Sequence, residues 1–369
     1  MIDGLGLEDV YEATIERIIG QSGDKSRLGM GALMWICDVE RPLSPGELCH
    51  ALAIELGSSD FDSGNIPSIT TLVSCCQGLI SVDKEGSTVR LIHFTLREYL
   101  SAHPHIFNSP HSKIAETCLT YLNCQQVKAL SDDPSTDLRD LVRGKPMLGY
   151  CSLYWGVHAK KDLSDCAMSL ALQLFKEYDG HISAKVLVEA AWPVLNDPHE
   201  NPRWSGMHCA SFFGIVEVVA ALLEMGCYDI NEGDWWGCTA LSLAAEKGHE
   251  GVVQLLLMQK DVDPIKPDNG QKTPLTYAAI HGHEKVVEIL LERQEVGPDK
   301  PDNYGKTPLS FAAWGGHEGV VKILLEREEV NPNRPDNDGH TPLMIASLYN
   351  HQKVIAQLQF HEAVTNSTI

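Results

Sequence analysis

Residues 302–328 read DNYGKTPLSFAAWGGHEGVVKILLERE, and this stretch decides the fold of half the chain. Its centre, Thr307-Pro-Leu-Ser, recurs as Thr239-Ala-Leu-Ser, Thr273-Pro-Leu-Thr and Thr341-Pro-Leu-Met, each copy 34 residues from the next. A degenerate copy, Ser205-Gly-Met-His, stands 34 residues before Thr239. A turn precedes each strong copy: Asp234-Trp-Trp-Gly237, Asp302-Asn-Tyr-Gly305, Asp336-Asn-Asp-Gly339, and a shifted version, Asp268-Asn-Gly-Gln271. After it come small pairs such as Ala244-Ala245 and Ala312-Ala313, then Gly248-His249, Gly282-His283 or Gly316-His317. Val-Val-x-x-Leu-Leu runs follow from Val252, Val286 and Val320. Each piece has a physical role. Pro fits the first turn of a helix, where its missing N–H costs nothing. Thr just before it caps that helix. The alanines let helices approach, and Gly ends the first helix. Val and Leu at i, i+1, i+4 and i+5 form the buried face of a second helix. One such pair cannot bury its face alone, so the copies stack into a solenoid.

This pattern resembles the ankyrin repeat, whose hallmark is TPLHxA. The resemblance implies five repeats over 201–361, with a disordered tail at 362–369. The extra residue per copy falls in connecting segments such as Asp263-Pro-Ile-Lys-Pro267. The outer copies depart from the pattern: Ser205-Gly206 replaces Thr-Pro, and Asn350 replaces the Gly before His351. Terminal repeats are expected to be atypical because they cap the stack.

Composition bounds the rest. The chain has 369 residues, 43% hydrophobic and 21% charged, enough to bury a core in two or three domains. Its 29 Lys+Arg stand against 50 Asp+Glu, a net of -21. Phosphate backbones and anionic lipid repel such a surface, so neither nucleic acid nor membrane is an expected partner. No run of about 18 apolar residues occurs, and Met1 to Val10 has no secretory pattern. The eleven cysteines therefore read as reduced thiols of a cytoplasmic or nuclear protein, the cytoplasm being the expected compartment.

Residues 27–103 form a small domain by their signals. Leu28 to Cys37 is an apolar helix, and Ser44-Pro45-Gly46-Glu47 has capping-box form and opens a helix through Glu55. Pro67 to Cys76 is a third helix. The runs Leu79 to Val82 and Thr88 to Ile92, joined by Asp83-Lys-Glu-Gly86, make a hairpin, and Phe94 to Leu100 closes the unit. Three helices and a hairpin outline a winged helix. Trp35-Ile36, Arg41-Pro42-Leu43, Cys76-Gln-Gly-Leu79 and Leu91-Ile-His-Phe-Thr95 with Glu98-Tyr99-Leu100 resemble the winged-helix segment of fungal NOD-like receptors. That segment lies between a NACHT nucleotide-binding domain and ankyrin repeats. Leu5 to Ile19 resembles the helical link leaving the NACHT domain, within a linker at 1–26. Pro146 to Ala159 resembles the helical region after the winged helix, here 104–200. The fold expected is therefore mainly α: a winged-helix and helical N-terminal half, then an ankyrin solenoid.

The motifs of chemistry are weak. A P-loop ending at Gly305-Lys306-Thr307 needs Gly at position 300, which is Lys300. A zincin needs HExxH, and after His249-Glu250, His283-Glu284 and His317-Glu318 the fifth residue is Val253, Val287 or Val321. The plain role of those histidines is a hydrogen bond between repeats. His281-Gly-His283 has no acidic or Cys partner near in sequence, and no GxSxG elbow occurs. Cofactors, metal and catalysis are not expected. The net charge of residues 27–100 is -4, a poor footprint for DNA despite the winged helix.

The sharpest functional signal is aromatic. In ankyrin folds the turn tips and the exposed ends of the first helices line one concave face. Here those slots hold Trp235, Trp236, Asn269, Asn303, Tyr304, Trp314 and Tyr349, with Phe212 and Phe213 in the first copy. Phe212 and Phe213 are expected to close the stack, and the others to bind a protein partner, a basic one given the acidic surface. The second function class is a scaffold or enzyme of a metabolic gene cluster, with a pocket between the helical region and the first repeats. The sequence leaves the oligomeric state open.

Overall fold

Caps and buried stripes set the elements of the computed structural model, which describes residues 6–83, 85, 87–132, 137–192 and 203–367. The chain divides into two compact units, Met1–Glu200 and Asn201–Ile369. The first begins with α1 (Leu7–Ile19), α2 (Asp24–Asp38), α3 (Pro45–Ala53) and α4 (Ile69–Cys75). The hairpin of β1 (Ile80–Asp83) and β2 (Thr88–Leu91) follows, then α5 (Phe94–Ala102). This is the winged-helix outline read from the sequence. The hairpin is antiparallel, with Ile80 opposite Leu91 and Asp83 opposite Thr88. Its turn residues 84 and 86 lie outside the described residues.

The capping box forms as its spacing requires. Ser44 Oγ accepts from Glu47 N at 3.2 Å, and Glu47 Oε2 accepts from Ser44 N at 2.8 Å. The same carboxylate takes a two-pronged contact from Arg41, at 3.1 and 2.5 Å. Helix α2 starts before the apolar run, at Asp24, because Gly23 (φ 62°) turns the chain and Asp24 suits a helix N-terminus. Helix α4 starts after Pro67, where Ser68 Oγ accepts from Thr71 N. Trp35, Leu33, Leu48, Leu72 and Leu96 fill the core. The stretch 1–26, set apart in the sequence as a link, is joined to this domain: Tyr11 Oη meets Thr95 Oγ1 at 2.8 Å, and Gln21 Nε2 donates to the Cys75 carbonyl at 2.7 Å.

The helical region holds α6 (Pro110–Asn123), α7 (Gln125–Lys128), α8 (Leu138–Gly144), α9 (Pro146–Lys161), α10 (Asp165–Phe175) and α11 (Ile182–Ala191). Helices α6 and α9 pack along each other and bury Cys118, Tyr150, Cys151 and Trp155. All eleven cysteines are free thiols, eight of them buried. Burial pushes the Cys76 thiol up to about 12.

The second unit is a stack of five helix pairs. They are α12 (Gly206–Phe213) with α13 (Val216–Met225), α14 (Ala240–Glu246) with α15 (Glu250–Leu257), and α16 (Pro274–His281) with α17 (Glu284–Leu291). Then come α18 (Pro308–Gly315) with α19 (Glu318–Leu325), and α20 (Pro342–Leu348) with α21 (Gln352–Ser367). Thr239, Thr273, Thr307 and Thr341 each cap a first helix by accepting the N–H three residues on. Each first helix packs on the next repeat's first helix. Val252, Val253 and Leu256, with their counterparts in the third and fourth repeats, are fully buried. Each such side chain contributes roughly 1.5–3 kcal/mol by leaving water. Helix α21 runs on to Ser367, through most of the stretch read as a disordered tail, because no Gly or Pro interrupts it. Among the described residues no helix is long and apolar enough to cross a membrane.

Candidate functional site

In the second to fifth repeats the turn before the first helix is a finger built on a buried Asp: Asp234, Asp268, Asp302 or Asp336. Asp234 Oδ1 accepts from Trp236 N and Cys238 N at 2.9 and 2.8 Å. Asp302 Oδ1 does the same with Tyr304 N and Lys306 N at 2.8 and 2.9 Å, and Asp336 Oδ1 with Asp338 N and His340 N at 3.0 and 2.8 Å. The fingers are bonded into a row. Asn269 N donates to the Trp236 carbonyl, Asn303 N to Gly270, and Asn337 N to Tyr304, at 2.7, 2.9 and 2.9 Å. A second ladder uses side chains: Asn269 Nδ2 donates to the Trp235 carbonyl, Asn303 Nδ2 to Asn269, and Asn337 Nδ2 to Asn303, at 3.0–3.1 Å. Asn269 and Asn303, read as partner-binding, are exposed, yet their amides serve the stack.

Histidines join the other ends of the first helices. His249, His283, His317 and His351 each donate Nε2–H to a carbonyl one repeat back: Phe212, Glu246, Ile280 and Trp314, at 2.8–3.0 Å. The bond between repeats expected of the Gly-His pairs is therefore present. It also explains the glycines. A Cβ at Gly248 would lie 2.6 Å from the ring of His283, and φ there is 71°. Asn350 stands at the last of these positions, and its φ of 58° is one that Asn tolerates.

On this frame the aromatic residues take different places. Tyr304 is 68% exposed, Tyr349 55%, Trp314 46% and Trp235 45%, while Trp236 is half-buried. Trp314 and Tyr349 meet edge to face, centroids 6.1 Å apart, and Tyr349 stacks on His351. Trp236 and Tyr304 share one finger position two repeats apart, with Gly270 between them offering no side chain. Phe213 is buried, and Phe212 packs on Trp204 under the Lys247 ammonium, 4.7 Å from its centroid. Leu348, at the position of Trp314 one repeat on, is 69% exposed and extends the apolar row; the sequence reading passed it over, though the 34-residue spacing marks it.

Metal chemistry has one geometric candidate among the described residues. Asp336, Asp338 and His340 bring three ligand atoms within 4.8 Å of one another. Asp336 Oδ1 is already spent on two N–H groups of its own turn. His281 and His283, the pair weighed from sequence, stack 6.1 Å apart, and His283 Nε2 is spent on the Glu246 carbonyl.

Known families agree with the two halves. Residues 178–268, 207–302, 263–336 and 294–369 match the family model described as ankyrin repeats (3 copies). Residues 16–128 match the model described as the winged helix domain of GPI inositol-deacylase. No curated protein matches the chain.

Proposed function

Since the chain belongs to the ankyrin-repeat family, whose stacked repeats imply a protein partner, we propose that it is a non-enzymatic interaction module that docks its partner on the fingers and first-helix ends of the repeats. The observation that carries this reading is a run of exposed rings, Tyr304, Trp314 and Tyr349, held on hydrogen-bonded turns and helix ends of neighbouring repeats. Large rings on rigid supports lose little entropy on binding, so they concentrate binding energy. Trp235 and Trp236 extend the surface to the second repeat. Residues 201–369 carry 23 Asp+Glu against 13 Lys+Arg, which favours a basic partner. A winged helix before ankyrin repeats supports placing the chain with the fungal NOD-like receptors, in cytoplasmic signalling or non-self recognition. The enzyme in the winged-helix description does not change this reading, because that match is to the winged-helix domain and the sequence has no GxSxG elbow.

The test is the double variant Tyr304→Ala with Trp314→Ala, compared with the natural chain in capture of a crosslinked partner. Each truncation is expected to cost on the order of 2 kcal/mol of binding. The melting midpoint should move little, because exposed substitutions stay within about 0.5 kcal/mol. Undiminished capture by the folded variant would refute the assignment of this face.

A further inference from the structure

Positive charge in the winged-helix segment is not spread evenly. Residues 27–100 hold five Lys or Arg against nine Asp or Glu. Three of the five, Arg41, Arg90 and Arg97, line one cleft of about 410 Å³. The C-terminal end of α2 and the segment 39–43 form one wall, and β2 with the start of α5 forms the other. Val89 N donates to the Leu43 carbonyl at 2.9 Å, so the walls close at that point. Val39 and Leu91 line the cleft on the two sides.

The chemistry of the lining has two components. Glu40, the carboxylate in it, is held by Lys161 Nζ at 2.5 Å. Arg41 is spent on Glu47, and Arg90 touches Asp83 at 3.2 Å while its side chain stays 57% exposed. Arg97 forms no ion pair among the described residues; its Nη2 donates to the Cys37 carbonyl at 3.2 Å. Arg90 Nε also donates to Thr88 Oγ1 at 3.2 Å; a guanidinium carries five donors, so Arg90 and Arg97 still keep the larger part of theirs for carboxylates. Beside them lies apolar surface without a cover: Phe94 is 67% exposed and its neighbour Ile92 51%.

We propose that this cleft binds a short acidic segment of a partner protein. Its carboxylates meet Arg90 and Arg97, and an aliphatic or aromatic side chain covers Phe94. A long polyanion fits poorly, because the segment around the cleft is net negative and repels an extended phosphate backbone. A segment with few carboxylates reaches the focused cations without that penalty. The site is built from residues of the first unit alone.

The test uses the full chain and a labelled eight-residue peptide alternating Glu with Leu or Phe, read by fluorescence anisotropy at low salt. Saturable binding is expected with a Kd on the order of 10 to 100 μM. A version with Lys for Glu should not displace the labelled peptide. Arg90→Glu with Arg97→Glu should raise the Kd at least about tenfold, while Tyr304→Ala with Trp314→Ala should leave it unchanged. The melting midpoint checks the fold. If the double reversal unfolds, Arg97→Gln replaces it, with an expected loss of about threefold. No saturation by about 1 mM, or binding untouched by these substitutions, overturns the proposal. So does a DNA duplex that binds more tightly and is released by the same substitutions, since the cleft is then a nucleic-acid site.

Discussion

Tyr277 and Phe311 stand at the same position of successive repeats, and one oxygen separates them. Tyr277 Oη donates to Asp268 Oδ2 at 2.7 Å and lies 3.1 Å from Cys238 Sγ. In the second repeat the corresponding oxygen, Asp234 Oδ2, accepts from Trp204 Nε1 at 3.1 Å. In the fourth repeat Asp302 Oδ2 is buried with no partner. Phe311 lacks the hydroxyl that would reach it. Phe311→Tyr is therefore expected to stabilise the repeats by about 1 kcal/mol, and Tyr277→Phe to cost about 1–3 kcal/mol by orphaning Asp268. Urea unfolding of the two variants checks both signs; a Phe311→Tyr chain no more stable than the natural one would show that Asp302 is satisfied some other way. Gly248→Ala tests the neighbouring constraint. Its Cβ would meet both a positive φ and the His283 ring, so a loss of about 2 kcal/mol or more is expected in the same measurement.

At the scale of elements, α6 and α9 are joined by a chain of polar groups centred on the buried His158 and Tyr150. His111 Nδ1 lies 2.9 Å from His158 Nδ1, Tyr150 Oη lies 2.8 Å from His158 Nε2, and Glu40 N donates to Tyr150 Oη at 3.2 Å. The set is consistent if Tyr150 donates to His158, and His158 donates its one proton to His111. A second proton on His158 would leave a charge in a site it shares with another imidazole. Burial accordingly holds His158 down at about 4, and lowers His111 as well. The folded value lies below the unfolded value of about 6.5, so the unfolded chain binds more protons between the two. Stability is full above about 6.5 and is lost as the pH falls toward 4, by about 2 kcal/mol at pH 5 from His158 alone. Hydrogen exchange of the α6 and α9 amides should therefore quicken, after correction for intrinsic rates, between pH 7 and 5. His158→Leu should flatten that dependence, and an unchanged slope would locate the sensitivity elsewhere. Such a network was not legible in the sequence, because its two histidines are 47 residues apart, Glu40 stands 110 from Tyr150, and no motif joins them. The repeats were legible because each job is local: Thr307 caps Ser310 three residues on, and Gly316 turns the chain where it stands. The site was half legible. Exposure of Tyr304 and Trp314 followed from register, but the use of Asn269 and Asn303 as rungs appears only when neighbouring fingers are side by side. The arginine cleft likewise draws on residues from 36 to 97 that no spacing connects.

Across the whole molecule, the net charge of -21 falls about equally on the two units, with -10 on residues 201–369. The repeat half is therefore acidic without being a single carboxylate patch: its finger aspartates are buried and bonded, and Lys272 and Lys306 sit just behind two of the turns. This arrangement separates two contributions to binding. On the proposed reading, the diffuse field would attract a basic partner from a distance and set the rate of encounter, whereas the rings of Tyr304 and Trp314 would act only in contact and set the lifetime of the complex. Raising the salt from about 0.1 M to about 1 M shortens the screening length from about 10 Å to about 3 Å. The association rate with a basic partner is then expected to fall about tenfold or more, with little change in dissociation. Tyr304→Ala with Trp314→Ala should do the reverse, quickening dissociation and leaving the salt dependence of association intact. Surface plasmon resonance across the salt series reads both. An association rate indifferent to salt would mean that the acidity of the repeats keeps the chain soluble and does not select its partner.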